Sequence, residues 1–466
     1  MSSSVPIFGS MTSFDRFQFA FTIASHITLV LMSISLIVTI VIAEFLSVYR
    51  NDSSYGILAK RLTKVFTISF GVGTASGIVM AVELVTLFPP FMTVAGQTGV
   101  IELFYFEVFA FFLETLFLVL YVYYANAFKG KWTHTIVGVV VAAGTLLSAV
   151  LIVTVNAWMN TPNGLDAAAL IQGLASGKIV VTGVSPWAPF TNPSAFAEIS
   201  HVVVTTVFTG SMLIGGYFAY RLLKYKKPEE ASLLNKGLVI SWVVALITLV
   251  LAGISGSHEM ATLLVHQPLK YAALDANTAS GSNLPERLFG SITNGVWSDG
   301  LQIPGLQSLL ATFETGISTL PGLSQFPQAD WPPLYIHTTF DLMILGAFLA
   351  LGYLLLYIIG WGLKKKPFET KILLYLQIPA AIGSYLVYLF GWITDEVGRQ
   401  PWIVYNVMTV AQAANQSTSV IVPGLLIMLF YILVVPSTFY FFVRVFNSQK
   451  PEEEELATAS TGGVNY

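Results

Sequence analysis

Nine long apolar runs, broken by short polar interruptions, set the organisation of this chain. They cover approximately residues 17–48, 62–88, 99–127, 133–158, 195–222, 233–257, 333–362, 370–393 and 420–446. Each supplies the roughly 20 residues that an α-helix needs to cross about 30 Å of hydrocarbon. Membrane-spanning strands would be shorter and would alternate between apolar and polar positions, and these runs do neither. The pattern predicts an all-α integral membrane protein of about nine transmembrane helices, with no internal repeat and with residues 1–446 as a single polytopic domain. Two connections are long, at about 159–194 and about 258–332. The second is rich in Gly, Ser, Asn and Pro, and a loop of that length is usually functional or disordered. Residues 447–466 form an acidic tail that reads as disordered and solvating.

Composition agrees with this picture and narrows the chemistry. The 466 residues are 55% hydrophobic and only 10% charged, more apolar surface than a soluble domain could cover. A net charge of -3 gives no reason to expect nucleic acid. The absence of cysteine excludes disulfides, iron–sulfur clusters, thiolate zinc sites and covalently attached c-type haem. Any metal must therefore use His, Met or carboxylate ligands. Met1 to Asp15 carries no Lys or Arg ahead of the first apolar run, so it does not read as a signal peptide. Of the 22 Lys and Arg residues, 17 follow the first, third, fifth and seventh runs or lie at the tail, and Lys129, Lys226, Lys227, Lys364 and Lys450 are among them. By the positive-inside rule the N-terminus is outside and the C-terminus cytoplasmic.

Polar residues inside membrane helices are costly and therefore informative. The first run carries His26, the third Glu102, Glu107 and Glu114, the fifth Glu198 and His201, and the seventh His337, Asp341 and Met343. The eighth ends on Asp395 and Glu396. With the predicted topology, His26, Glu107, His201, Met343 and Glu396 fall in the outer half of the membrane from five different helices. A lone buried His or Met is ordinarily a packing residue. Five potential ligands at one depth point instead to iron or haem, for which His and Met are suitable axial donors. Glu107 and Glu114 are seven residues apart, hence on one helix face about 10 Å apart along the axis. They suggest a proton relay toward a buried site, which Glu83 on the second helix could extend or to which it is unrelated.

The densest stretch runs from Gly391 to Trp402, with Asp395, Glu396, Arg399 and two indoles within twelve residues. Read alone it is either an interfacial anchor or part of a site. The pattern Gly-Trp-x-x-x-Glu-x-Gly-Arg-Gln-Pro-Trp resembles that of the large, haem-bearing subunit of cytochrome bd quinol oxidase. Further likenesses are Arg16-Phe17-Gln18-Phe19-Ala20 followed by His26, Phe111-Phe112-Leu113-Glu114, and Asn156 to Pro162. Asn192-Pro193 with His201, and His266 to Asp275, which is similar to the quinol-loop signature, complete the set. The resemblance implies two b-type haems and one haem d (or a third b-type haem), with quinol as electron donor and O2 reduced to water. His201 and Met343 would ligate the low-spin iron, with His337 the alternative donor. His26, Glu396 and an acid on the third helix, Glu107, would serve the high-spin pair, and Arg16 would bind cofactor. Arg399 and Trp392 would pack against that centre, Glu114 would pass cytoplasmic protons, and Lys270 and Asp275 would lie near quinol oxidation on the outer face. A second membrane subunit, a small single-helix subunit and the inner membrane of a prokaryote complete the implied setting.

The chain departs from the family pattern in three places. A ligating Glu is expected eight residues before Glu114, where Phe106 stands, and Glu107 follows it. One residue turns a side chain by about 100°, so Glu107 takes over only if the helix is over- or underwound. Asp341 replaces an Arg two residues before Met343, and Asp275 replaces a Glu. Two alternatives remain: a non-catalytic or altered-donor bd-like paralogue acting as partner subunit, and a proton-coupled transporter. The transporter would be expected to show paired repeats and interrupted helices.

Overall fold

Nine helices among the described residues are long and apolar enough to cross a membrane. They are α1 (Met11–Arg50), α2 (Ser53–Leu87), α3 (Val100–Tyr123), α4 (Lys131–Asn160), α5 (Ala195–Lys224), α6 (Pro228–His266), α7 (Ile336–Gly362), α8 (Lys371–Gly398) and α9 (Ile421–Ser448). This computed structural model describes residues 9–128, 130–224, 228–293, 295–363 and 365–448. The acidic tail from Pro451, and the basic residues Lys129, Lys226, Lys227, Lys364 and Lys450, lie outside the described residues. Below, the upper end of the bundle is the end at which α1 starts.

Local chemistry fixes where the helices turn. The Ser10 hydroxyl accepts from the Ser13 amide and opens α1. At its other end Asn51 takes a left-handed conformation with φ 50°, and the Asp52 carboxylate then caps α2 through the Ser54 amide. This tight reversal lays α1 and α2 side by side. Lys236 of α6 closes on Asp52 at 2.5 Å and holds the corner.

The lower half is packed around Ile37, Ile40, Leu58, Phe66, Phe218 and Tyr357, all fully or nearly fully buried. One charge cluster lies within it. Glu230 of α6 accepts from Arg61 of α2 at 3.0 Å and from Arg221 of α5 at 3.2 Å. It joins three helices, α2, α5 and α6.

The upper end is more structured than its composition suggests. α6 does not stop near residue 257 but continues to His266, because Leu263 and Leu264 bury their side chains on a second core beyond the polar His258 and Glu259. A short helix follows at Pro268–Leu274, with Pro in its first turn. Next come the antiparallel hairpin β1 (Glu286–Thr293) and β2 (Val296–Ile303), and a helix at Leu306–Thr315. Leu269, Leu274, Leu320 and Leu323 close this layer over Ile336 and Phe340 at the head of α7. This part of the long connection is thus an ordered cap among the described residues. After α8 a small hairpin, β3 (Trp402–Val404) and β4 (Met408–Thr409), is tied to the end of α4 by Tyr405 N–H to Met159 O at 2.9 Å.

Removing Glu230 would leave two guanidiniums without their shared carboxylate. Glu230→Ala is expected to destabilise the lower half by about 3–5 kcal/mol, the range for breaking a buried ion pair by deleting one partner. Thermal unfolding in detergent reads this; a melting point equal to that of the unmutated chain would refute it.

Candidate functional site

The helix α8 runs to Gly398, so Asp395 and Glu396 occupy its last turn. A carboxylate at that depth needs partners, and Asp395 has several. It accepts from Asn156 Nδ2 at 2.8 Å and from Asn160 Nδ2 at 3.4 Å, both on α4, and it forms an ion pair with Lys270. The same asparagines turn their amide oxygens to Arg399 Nη1, each at 2.9 Å. Arg399 Nη2 binds Glu396 Oε2 at 2.6 Å. Asn160 Nδ2 also reaches Glu198 Oε2 of α5 at 2.9 Å. An alternating chain of acids, amides and bases thus joins α4, α5, α8 and the cap. Asn156, Asn160 and Glu198 were present in the sequence but carried no assigned role. Only the geometry shows that a single amide residue, Asn160, serves an acid through its nitrogen and a base through its oxygen.

Two histidines sit nearby in matching settings. His26 Nδ1 is 2.8 Å from Ser76 Oγ of α2, and His201 Nδ1 is 3.1 Å from Ser255 Oγ of α6. Neither Nε2 has a protein hydrogen-bond partner among the described residues. Met343 of α7 lies against Gly391 of α8, where an added Cβ would come 3.2 Å from its sulfur. His26, Glu107, His201, Met343 and Glu396 all lie in the upper halves of their helices.

Several expected placements change. α3 is unbroken α-helix over Val100–Tyr123, so the over- or underwinding that would turn Glu107 into the position of Phe106 is absent. Glu107 instead faces α4 at 3.3 Å from Ser148, while Phe106 packs on Trp187 and Phe190. Arg16 is exposed at the upper end of α1, outside the Asp395 cluster. Lys270 is buried, with its ammonium paired to the Asp395 carboxylate. Asp275 is likewise buried, and takes a 2.5 Å hydrogen bond from Gln307. Glu83 accepts from Gln18 at 2.6 Å and Thr22 at 3.1 Å on α1, so it belongs to the α1–α2 contact and not to the face of Glu107 and Glu114.

His337 cannot be the alternative iron donor. Its Nδ1 is 2.6 Å from Leu274 O and its Nε2 is 2.8 Å from Phe289 O. Both ring nitrogens thus face backbone carbonyls, which only accept. Asp341 Oδ2 lies 3.4 Å away and also accepts the Phe289 amide at 2.5 Å. Asp341 thus stands one turn from an imidazole and does not face open apolar surface.

A second polar line follows the α3–α4 seam. Glu44 of α1 meets His134 Nδ1 at 2.5 Å, and His134 Nε2 meets Tyr121 O at 3.0 Å. Further up, Thr145 donates to Glu114 at 2.6 Å, and Ser148 reaches Glu107. From His134 to Ser148 the line climbs about 21 Å along one face of α4.

Comparison with known proteins decides what this arrangement belongs to. Residues 14–450 match the family model for cytochrome bd terminal oxidase subunit I. The chain belongs to the cytochrome bd oxidase subunit I family. A putative cytochrome bd menaquinol oxidase subunit I of Bacillus subtilis (strain 168) is 31% identical over 455 residues, 96% of this chain and 98% of that protein. A cytochrome bd ubiquinol oxidase subunit 1 of the same strain is 27% identical, covering 87% and 86%. The structure of bd oxidase from Geobacillus thermodenitrificans superposes with a TM-score of 0.86 at 28% identity, over 94% of this chain and 99% of that one. Subunit I is thus a multi-pass haem oxidoreductase of respiratory electron transport.

The cap of this subunit I carries acids whose protonation its packing controls. Burial, with the Asp341 charge nearby, raises the Glu286 carboxyl from the ordinary 4.5 to about 7. Burial and Glu286 together hold Asp275 well above the carboxylate range. A folded-state value above the unfolded one means that the closed cap binds the extra proton. That stabilisation is complete below the unfolded value near 4.5 and is lost as pH rises through about 7. Amide exchange over Glu286–Ile303, corrected for intrinsic rates, is expected to show more protection at about pH 5 than at about pH 8, and Glu286→Gln to flatten the difference. Equal protection at both pH values in the unmutated chain would contradict this.

Proposed function

We propose that this chain is the haem-bearing large subunit of a quinol-oxidising terminal oxidase. In this reading it carries two b-type haems and one haem d, or a third b-type haem. The observation that carries the reading is the pair His26 and His201, each tethered at Nδ1 with Nε2 without a protein partner among the described residues. The donor set suits haem better than a bare ion. Among the described residues no three His, Asp or Glu side chains gather at one point, whereas a porphyrin iron needs only one or two protein donors. Haem supplies electron transfer and, at an iron with an open position, the reduction of O2 to water.

The chain's own residues then take the following roles. His201 and Met343 would hold the low-spin iron, and His26 and Glu396 would hold the high-spin pair. Arg399 fixes the Glu396 carboxylate through its hydrogen bond, and Trp392 walls the same region. Glu114, with Thr145, and Glu107, with Ser148, pass protons upward along α3–α4, and Glu44 and His134 stand at the lower entrance of that seam. The N-terminus faces outward and the basic loops face the cytoplasm, so these protons come from the cytoplasmic side. Quinol approaches the cap between α6 and α7, where Asp275 is held. Lys270 serves as the strut that fastens the cap to Asp395. A second membrane subunit completes the oxidase, together with a small single-helix subunit, in the inner membrane of a prokaryote. Retention of His26, His201, Met343 and Glu396 favours this catalytic reading over a partner-only paralogue.

A reduced-minus-oxidised optical spectrum of the purified complex tests the reading, and absence of any haem band would end it. Met343→Leu is expected to abolish the low-spin signal while sparing the high-spin bands; its survival would remove Met343 from the ligand set. Glu114→Gln is expected to slow O2 reduction by roughly 10²–10⁴-fold, the range for losing a positioned proton-transfer group, with all haem retained. Unaltered turnover would return Glu114 to packing.

A further inference from the structure

The two tethered histidines share more than one hydrogen bond. In both cases the partner is a serine followed immediately by glycine on the neighbouring helix: Ser76-Gly77 on α2 for His26, and Ser255-Gly256 on α6 for His201. We propose that each Ser-Gly pair is a positioning device for a haem-iron donor, with the serine fixing the ring tautomer and the glycine seating the ring on the helix backbone. This rests on the assignment of His26 and His201 as iron donors made above.

The serine's own proton settles the tautomer. Ser76 Oγ donates to Gly73 O at 2.8 Å, and Ser255 Oγ donates to Ala252 O at 3.3 Å. Each is the back-bond that a helical serine makes to the preceding turn. With that proton committed, the hydroxyl oxygen can only accept from the imidazole. Nδ1 therefore carries the hydrogen, and the lone pair lies on Nε2, the nitrogen with no protein partner. A histidine that ligates a metal through one nitrogen commonly has the other held in this way, which fixes ring orientation and raises ligand basicity.

The glycines supply the second half of the device. A Cβ added at Gly77 would lie 3.3 Å from His26 Cε1, and one at Gly256 would lie 3.2 Å from His201 Cε1 and 3.5 Å from its Nδ1. Even alanine is tight there, and any larger residue would push the ring away from its serine. His134 and His337 have no such arrangement. Their nitrogens face a carboxylate and backbone carbonyls, and neither keeps Nε2 for a metal.

A hydroxyl acceptor makes Nε2 a better donor to ferric iron than a ring with no acceptor, and a poorer one than a ring facing a carboxylate. In the purified haem-loaded complex, Ser255→Ala is therefore expected to move the low-spin midpoint potential positive. The expected size is roughly tenfold in the oxidised-to-reduced ratio, about 59 mV for one electron. Ser255→Asp should move it negative, and Ser255→Thr, which keeps the hydroxyl, should restore the original value. Wild-type potentials in both the Ala and Asp variants, with haem retained, would overturn the proposal. Loss of the low-spin haem in Ser255→Ala but not in Ser255→Thr would support it; loss in both, with thermal stability intact, would count against it. His201→Ala separates the two levels of inference. If the low-spin band survives that substitution, the ligand assignment itself fails. If the band is lost there while every Ser255 variant titrates normally, only the anchor fails. Ser76→Ala and Ser76→Thr make the same comparison at the high-spin bands.

Discussion

A buried carboxylate, Asp395, has to be satisfied from every side, and the upper end of the bundle is arranged to do it. Lys270 brings the charge, Asn156 and Asn160 bring amide hydrogens, and their amide oxygens then require a cation of their own, which Arg399 provides. Removing an uncompensated charge from water costs several kcal/mol, so each of these groups commits the next. The result is a connected path from α4 through α8 to the cap, with α5 joined through Glu198. The end of α8, which carries Glu396, is held by that path and not by apolar packing alone.

The spans were legible because hydropathy alone specifies a membrane helix, and all nine runs became helices. Their ends were less so. α6 extends to His266 and α8 to Gly398, since polar residues such as Glu259 and Asp395 lower local hydropathy while their neighbours still bury. Pairing across helices was the least legible property. Nothing in the spacing of Asn156 and Asn160 states that they face residue 395, some 240 positions away. Lys270 carried a motif in the sequence, but its burial depends on the cap folding back over α8. Glu107 was ambiguous for a different reason: a single residue of register decides which neighbour a helical side chain meets, and only an unbroken α3 resolves it toward Ser148.

Asp341 shows how a change that looks severe in one dimension is absorbed in three. An acid in place of an arginine would unbalance an apolar helix head if it stood alone. Here it stands one turn from His337, whose two nitrogens both face carbonyls, and its own Oδ2 lies 3.4 Å from the ring. The same acid accepts an amide from β1, which pins the hairpin to α7. It thus also fastens the cap, two residues from Met343.

The glycines beneath His26, His201 and Met343 bear on how such a centre handles electrons. A ring lying on a side chain moves when that side chain changes rotamer, within picoseconds to nanoseconds. A ring or sulfur lying on the backbone of a packed helix is referenced to a surface that does not relax on that scale. Under the proposed assignment of these residues as iron donors, groups mounted this way would change position little when the charge on the metal changes. A small nuclear rearrangement per electron favours rapid transfer at low driving force, so in that assignment three residues with no side chain would set a term of the kinetics.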